Sequence, residues 1–281
     1  MLGVSLCSLY NNKYEVHAFH RDDECFSSCH SDFSLDLTNL TQLQILFSQI
    51  KPDLVIHCAS LTSIDGCENE PELAHKYNVI ITENISRICS DEVKLIYIST
   101  DQVYGKVDDH SENNTILKPV NEYGRTKLKG EQKVQEFSSD HIIIRTNIFG
   151  WNAKPGKVSS AEWMYHSLSN REELILFTDY TFSPIYTDYF GEILMQLVDM
   201  DFIGVVNLGS PTSCSKYEFG IQIADAFKFG RSLIKKGSMK EEGLFAKRCP
   251  KLDLDCNLIT KLVRNIPDWR QSISMFAEKI K

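Results

Sequence analysis

Three short runs, LVIHC at Leu54–Cys58, VKLIYIS at Val93–Ser99 and HIIIRT at His141–Thr146, are apolar along nearly their whole length instead of alternating with polar residues. A strand patterned in this way has no face to give to water, so it belongs inside a parallel sheet covered on both sides. Helical segments separate the runs. Thr41–Ile50 is one, broken by Pro52. Pro71 sits where a first helical turn tolerates proline and opens a second, extending to Cys89. Tyr123–Phe137, rich in Lys, Glu and Gln, is a third. Ahead of them, Met1–Asn12 reads as a helix with Leu2, Leu6 and Leu9 on one face, followed by a short strand over Tyr14–Phe19. This alternation predicts βαβ crossovers and a doubly wound parallel α/β sheet.

Beyond residue 150 the pattern loosens. Gly, Pro, Lys and Ser between Trp151 and Ser160 mark a loop or domain transition. A helix at Ala161–Ser169, a strand at Leu174–Phe177, a helix at Tyr186–Val198 and a strand at Val205–Leu208 follow. Helices at Lys216–Phe229 and Asp268–Glu278 bracket a less regular stretch. The expected organisation is one domain over 1–150, with 183–208 returning to it, and a smaller mixed domain from 151–182 and 209–281. A chain of 281 residues accommodates both.

Charge and cysteine content narrow the function classes. The net charge of −8 gives no global basic footprint for nucleic acid. No apolar run reaches bilayer-spanning length, so no membrane association is expected. Nine cysteines without paired short spacings suit free thiols in a reducing compartment, and a cytoplasmic location follows. Cys25, Cys29 and His30 are the one grouping with a zinc-like set of ligands, and no metal is expected there. The opening residues show neither a charged leader nor a small-residue cleavage site, so no secretory signal is expected.

The chemistry concentrates at one strand end. Val93–Ser99 runs into Thr100 and Asp101, and Tyr123 and Lys127 stand one helical turn apart on a downstream helix. A tyrosine hydroxyl with an unperturbed pKa near ~10 needs a neighbouring cation to move protons at neutral pH, and Lys127 would supply it. Thr100 lies where open α/β sheets bind ligands, at a strand's C-terminal edge, and could hydrogen-bond a carbonyl under reduction.

The runs DLVIHCASLTSIDGCENEPELAHKYN, YISTDQVYG, PVNEYGRTKLKGE and IIIRTNIFG resemble the extended short-chain dehydrogenase/reductase superfamily. Within it the chain is most similar to the dTDP-4-dehydrorhamnose reductase family, which includes the regulatory beta subunit of methionine adenosyltransferase. RCPKLDLDCNLI and the later IPDW resemble that family's substrate-domain signature. The resemblance implies a Rossmann-type sheet, a nicotinamide cofactor and a nucleotide-activated 4-keto sugar as substrate, in deoxysugar or cell-surface polysaccharide synthesis. It makes Tyr123 the proton donor, Lys127 the residue that lowers its pKa and holds the nicotinamide ribose, and Thr100 the residue that orients the carbonyl, with Asp101 beside it in the sugar pocket. Ser60, Leu61 and Thr62 match a cofactor-lining loop, and Asp36 and Leu37 the pair that contacts adenine. Arg21 follows the Tyr14–Phe19 strand, where an arginine suits the 2′-phosphate of NADP and an acid the free hydroxyl of NAD. NADP is favoured, although Asp22 and Asp23 come next. A homodimer is compatible with the resemblance.

The chain departs from the family pattern at three places. The family begins with a strand and a glycine-rich turn that cradles the pyrophosphate, and Met1, Leu2 and Gly3 correspond to the end of that turn. The expectation is a sheet lacking its central strand and weakened pyrophosphate binding. Gln102 replaces a common aromatic residue, and Ile148 stands at the place of a sugar-holding tryptophan. Two alternatives accompany the reductase reading: a regulatory nucleotide-binding protein without turnover, and an epimerase or dehydratase. The latter commonly carry an Asp-Glu pair where this chain has Asp101 and Gln102.

Overall fold

The computed structural model describes residues 1–21, 29–90, 92–152, 156–240, 243 and 245–280. In chain order the first half holds α1 (Leu2–Tyr10), β1 (His17–His20), β2 (Ser31–Ser34), α2 (Leu40–Ile50), β3 (Leu54–His57), α3 (Ile64–Asn69), α4 (Pro71–His75), α5 (Ile81–Cys89), β4 (Lys94–Ile98), α6 (Glu122–Phe137) and β5 (His141–Thr146). The second half holds β6 (Ile148–Phe149), α7 (Ser160–Ser169), β7 (Leu174–Phe177), β8 (Thr181–Phe182), β9 (Ile185–Tyr186), α8 (Thr187–Asp199), β10 (Gly204–Leu208), β11 (Cys214–Ser215), α9 (Lys216–Ala226), β12 (Ile234–Gly237), β13 (Lys251–Leu252), α10 (Asn257–Leu262) and α11 (Trp269–Glu278). Among the described residues no helix is long and apolar enough to cross a membrane.

The main sheet is four-stranded and parallel, in the order β10-β5-β4-β3. The apolar runs of β4 and β5 are buried on both faces, as their composition requires. Ile96, Ile142, Ile144 and Val206 face Leu2 and Leu6 of α1 and Phe190 and Leu194 of α8. Leu95, Tyr97 and Ile143 point the other way, against Leu43 of α2, Ile81 and Ile85 of α5 and Val134 of α6. This is the α/β sandwich with helices on both faces that the alternation predicts. A second core, with Phe149, Trp269 and Phe276 at its centre, lies among α7, α9 and α11. There the Trp151 indole stacks on the Phe276 ring at 4.2 Å between centroids.

β1 and β2 form a separate two-stranded parallel sheet. Among the described residues no ladder joins β1 to β3, so the parallel array is interrupted between them. Phe19 and Leu37 nevertheless pack into the same apolar cluster as Val55 of β3. Side-chain packing, without backbone pairing, holds the two sheets together. The cost shows in β3, where Leu54, Val55 and Ile56 are only partly buried while the centres of β4 and β5 are fully buried.

Several elements differ from the sequence expectation for identifiable reasons. The helix expected from Pro71 to Cys89 is interrupted by a π-helical turn at Lys76–Ile80. The strand expected at Tyr14–Phe19 forms only from His17, after Tyr14 N–H closes back on Tyr10 O at 3.0 Å. α3 carries no apolar periodicity and is held by Ser63, whose side chain caps Gly66 N–H at 3.0 Å. β2 and the two-residue strands β6, β8, β9, β11 and β13 are too short to show a period.

The interrupted sheet makes a prediction for amide hydrogen exchange. The β3 and β1 amides that face the gap are expected to exchange at least about tenfold faster than those of β4 and β5. Equal protection across β3, β4 and β5 would show that the gap is closed in solution.

Candidate active site

The C-terminal end of β4 turns at Thr100, whose hydroxyl caps Gln102 N–H at 3.3 Å and starts a single 3₁₀ turn over Asp101–Val103. The Asp101 carboxylate is 1% exposed and receives Asn147 Nδ2 at 2.6 Å, Thr100 Oγ1 at 3.0 Å and Gln102 Nε2 at 3.2 Å. Burial pushes its pKa up, and those hydrogen bonds and the charge of Lys216 oppose the rise.

α6 is docked on this turn by two glycines. A Cβ on Gly124 would stand 2.6 Å from Gln102 O, and one on Gly130 would stand 2.1 Å from Tyr97 Oη. Only glycine permits such an approach. Asn121 caps the helix through Gly124 N–H at 2.8 Å and reaches Gln102 Oε1 at 3.2 Å with its amide. The first turn of α6 therefore brings Tyr123 to Thr100. Burial drives the Tyr123 pKa up, hydrogen bonding from Thr100 works against that, and the charge of Asp101 adds to it.

One turn along, Lys127 is 2% exposed, and its ammonium lies 3.9 Å from the centre of the Tyr97 ring. It makes no hydrogen bond or ion pair among the described residues. Burial lowers its pKa to about 7, against the attraction of Glu131 and Cys58. Glu131 in turn is paired with Arg145 at 2.7 Å and accepts the Ser99 hydroxyl, so β4, β5 and α6 meet in one buried network. His57 is held neutral, its pKa lowered to about 3 by burial and then by the charge of Lys127.

The remaining predicted residues fall into separate groups. Ser60 Oγ and Leu61 N–H both donate to Asn78 Oδ1 at 2.8 Å. Asn78 Nδ2 donates to Leu61 O and to Thr126 Oγ1 of α6, each at 3.1 Å. Thr62 is exposed beside them. Arg21 Nη1 donates to Tyr77 Oη at 2.7 Å, and its charge, with that of Lys76, acts on Asp36. The Asp36 carboxylate itself closes a turn, accepting Thr38 N–H at 2.9 Å and Thr38 Oγ1 at 2.7 Å. Leu37 O receives Asn84 Nδ2 at 3.2 Å. Leu2 is buried in the core, and a Cβ on Gly3 would come within 3.9 Å of Cys58 Cβ, so the N-terminus of α1 lies at the end of β3. Ile148 pairs with Ile185 in the β6–β9 ladder and packs against the main core. His30 Nδ1 accepts Val16 N–H at 3.0 Å, whereas Cys25, Asp22 and Asp23 lie outside the described residues.

A profile described as the RmlD substrate binding domain matches residues 1–281. The chain belongs to this family. Among RmlD-family relatives, it is 29% identical over 230 residues to a probable low-salt glycan biosynthesis reductase of Haloferax volcanii, covering 80% of this chain and 76% of the relative. It is 26% identical over 237 residues to the beta subunit of methionine adenosyltransferase 2 from Xenopus laevis, covering 81% of this chain and 70% of that one. The crystal structure of a dTDP-4-dehydrorhamnose reductase from Bacillus anthracis in complex with NADP superposes with a TM-score of 0.82 at 27% identity, over 92% of this chain and 93% of that chain. The fold is accordingly the Rossmann type of the RmlD family.

Sequence reasoning missed the residues that hold this site in place. Asn78 sits in the π-helical turn, a local widening that no propensity pattern announces. Asn147, Tyr180 and Lys216 reach the Asp101 side from segments far away in the chain. The buried Glu131–Arg145 pair left one trace, an acid on an apolar-flanked helix face and an arginine inside a buried strand.

The buried ammonium of Lys127 costs the fold stability. Its folded-state pKa of about 7 lies below its ordinary 10.5, so the unfolded chain binds more protons in that window and stability rises with pH across it. At pH 7 that contribution is largely lost. Lys127→Met is expected to stabilise the ligand-free protein at pH 7 by roughly 1–4 kcal/mol, with the gain shrinking towards pH 10. Thermal melts at the two pH values check it, and destabilisation at pH 7 would contradict it.

Proposed function

We propose that this RmlD-family protein is an NADP(H)-dependent reductase of a nucleotide-activated 4-keto sugar, of the dTDP-4-dehydrorhamnose reductase type, acting in the cytoplasm. The observation that carries the reading is the convergence of Thr100, Tyr123 and Lys127 at the C-terminal edge of the main sheet, with Lys127 buried and lacking an acceptor. An ammonium in that position calls for oxygen ligands, and the hydroxyls of a nicotinamide ribose supply them. The residues therefore fit a nicotinamide dinucleotide. Lys127 would hold the ribose, Ser60 and Leu61, fixed by Asn78, would line it, and Arg21 with Tyr77 would meet a 2′-phosphate. The uncapped first turn of α1 offers backbone N–H groups to the pyrophosphate.

When bound, the nicotinamide supplies a hydride equivalent to the keto carbon. On substrate binding the Thr100 hydroxyl turns its one proton from Asp101 to the carbonyl oxygen and orients it. Tyr123 gives its phenolic proton to that oxygen as negative charge develops there. Its raised pKa keeps it protonated until then, and the cation at Lys127 eases the loss of the proton by stabilising the phenolate. Asp101, held by the amides of Asn147 and Gln102, shapes the wall beside the carbonyl. Epimerase or dehydratase chemistry fits less well, because the neighbour of Asp101 is an amide that donates to it rather than a second carboxyl.

Tyr123→Phe removes one hydroxyl and little packing area. The expected result is a fall in kcat of about 10² or more, with unchanged melting temperature and near-unchanged NADPH affinity. NADPH oxidation with a dTDP-4-keto-6-deoxyhexose reads the rate. Equal turnover by variant and parent excludes Tyr123 as the acid. Tight NADPH binding without turnover by either protein favours the regulatory alternative.

A further inference from the structure

Two cations from the chain after β11, Lys216 and Arg248, act on this end of the sheet, Lys216 on Asp101 and Arg248 on the neighbouring Tyr180. Their charges are matched differently. Arg248 Nη2 reaches Asp65 of α3 at 2.8 Å, and Ala246 N–H donates to the same carboxylate at 3.1 Å. Lys216 has no such partner. It is the first residue of α9, behind the Ser215 cap, and its backbone N–H donates to Tyr180 O at 3.1 Å. Its ammonium rests 3.8 Å from the centre of the Phe182 ring and 5.6 Å from that of Tyr180. Among the described residues no carboxylate comes within ion-pair distance of it, and no hydrogen bond to its ammonium forms.

The aromatic floor and the half-buried position strip water from this ammonium without replacing it by an anion. Burial lowers its pKa to about 8, against the attraction of Cys214 and Asp101, so it stays largely charged at neutral pH. Asp101 does not swing across to neutralise it, because Asn147, Thr100 and Gln102 already occupy its oxygens. The charge is therefore left for a ligand.

Its surroundings separate it from the proposed cofactor side. Lys127 is surrounded by Glu131, Cys58, His57 and Tyr97, whereas Lys216 is surrounded by Asp101, Cys214, Phe182 and Tyr180. Asp101 lies next to Thr100, so an anion held by Lys216 sits close to the carbonyl that Thr100 would orient. In a 4-keto hexose the phosphate-bearing carbon is directly across the ring from the keto carbon. A lysine ammonium is a point charge suited to phosphate oxygens. Resting on the nucleotide-sugar reading above, we propose that Lys216 binds the phosphate esterified to the sugar and so sets which end of the substrate faces Tyr123.

Lys216→Met keeps the side-chain stem on the Phe182 and Tyr180 rings and removes the charge, and Lys216→Arg restores the charge. In the NADPH oxidation assay with a dTDP-4-keto-6-deoxyhexose, Lys216→Met is expected to raise the sugar KM at least about tenfold. Its kcat should stay within about threefold and its NADPH affinity should be unchanged, while Lys216→Arg recovers most of the KM. A fall in kcat at constant KM would overturn the proposal by assigning Lys216 to the carbonyl end, and unchanged kinetics would overturn it outright. Calorimetric titration of dTDP into parent and variant gives a reading that needs no turnover. A tenfold or greater loss of dTDP affinity in Lys216→Met supports the phosphate site even if the reductase reading fails, and equal affinity refutes it.

Discussion

The buried pair between Glu131 and Arg145 is the interaction on which the site's geometry rests. Their side chains are 3% and 5% exposed, and they join the middle of α6 to β5. The Ser99 hydroxyl adds the end of β4, and Arg145 Nη1 donates to Tyr104 Oη at 3.1 Å, whose own hydroxyl donates to Asn207 Oδ1 of β10 at 2.8 Å. Removal of one partner would leave an uncompensated charge at a cost of roughly 3–5 kcal/mol, whereas an apolar pair of similar volume can be neutral. What the polar pair adds over an apolar one is direction. It fixes the rotation of α6 about its own axis, and that rotation decides whether Tyr123 and Lys127 face the strand ends or the solvent.

Lys127 and Lys216 illustrate one physical device used twice. Each is drawn out of water onto an aromatic face, and among the described residues each lacks an anionic partner at contact distance. Burial lowers both pKa values, Lys127 further than Lys216. The ring supplies part of the lost hydration without consuming the charge, which remains available to an incoming oxygen ligand. Arg248 shows the contrast: its bond to Asp65 ties the C-terminal lobe to α3 and makes it a strut.

Much of this was legible in the sequence because the signals were local. Continuous apolar runs announced β3, β4 and β5, and the Tyr-x-x-x-Lys spacing after a strand ending in Ser-Thr-Asp pointed to the residues on which the proposed chemistry rests. The structure brings Thr100 and Tyr123 together through Gly124, a residue whose importance lies in an absent Cβ and which no pattern of side chains reveals. Asn78 was illegible for a related reason. Its role depends on a helical turn widened by one residue, which rotates its amide towards Leu61 and Thr126. The family resemblance makes Asp36 an adenine contact, and the structure adds a local role that the resemblance did not give: its Oδ1 accepts both Thr38 N–H and the Thr38 hydroxyl, the usual habit of an aspartate two residues ahead of a donor. Lys216 lies 115 positions from Asp101, and only tertiary packing relates them.

The interruption between β1 and β3 gives dinucleotide recognition the character of a tethered, two-point attachment. Arg21 follows β1 of the small sheet and Lys127 stands on α6 against the large one, and packing with a few side-chain hydrogen bonds, Arg21 to Tyr77 and Asn84 to Leu37 O, connects the pieces. A ligand gripping both is in effect bivalent. The effective concentration at which one grip presents the other depends on how stiffly the two sheets are held. Stiffening that junction would raise the avidity for the whole dinucleotide while leaving the affinity for either half unchanged, with no ligand contact altered.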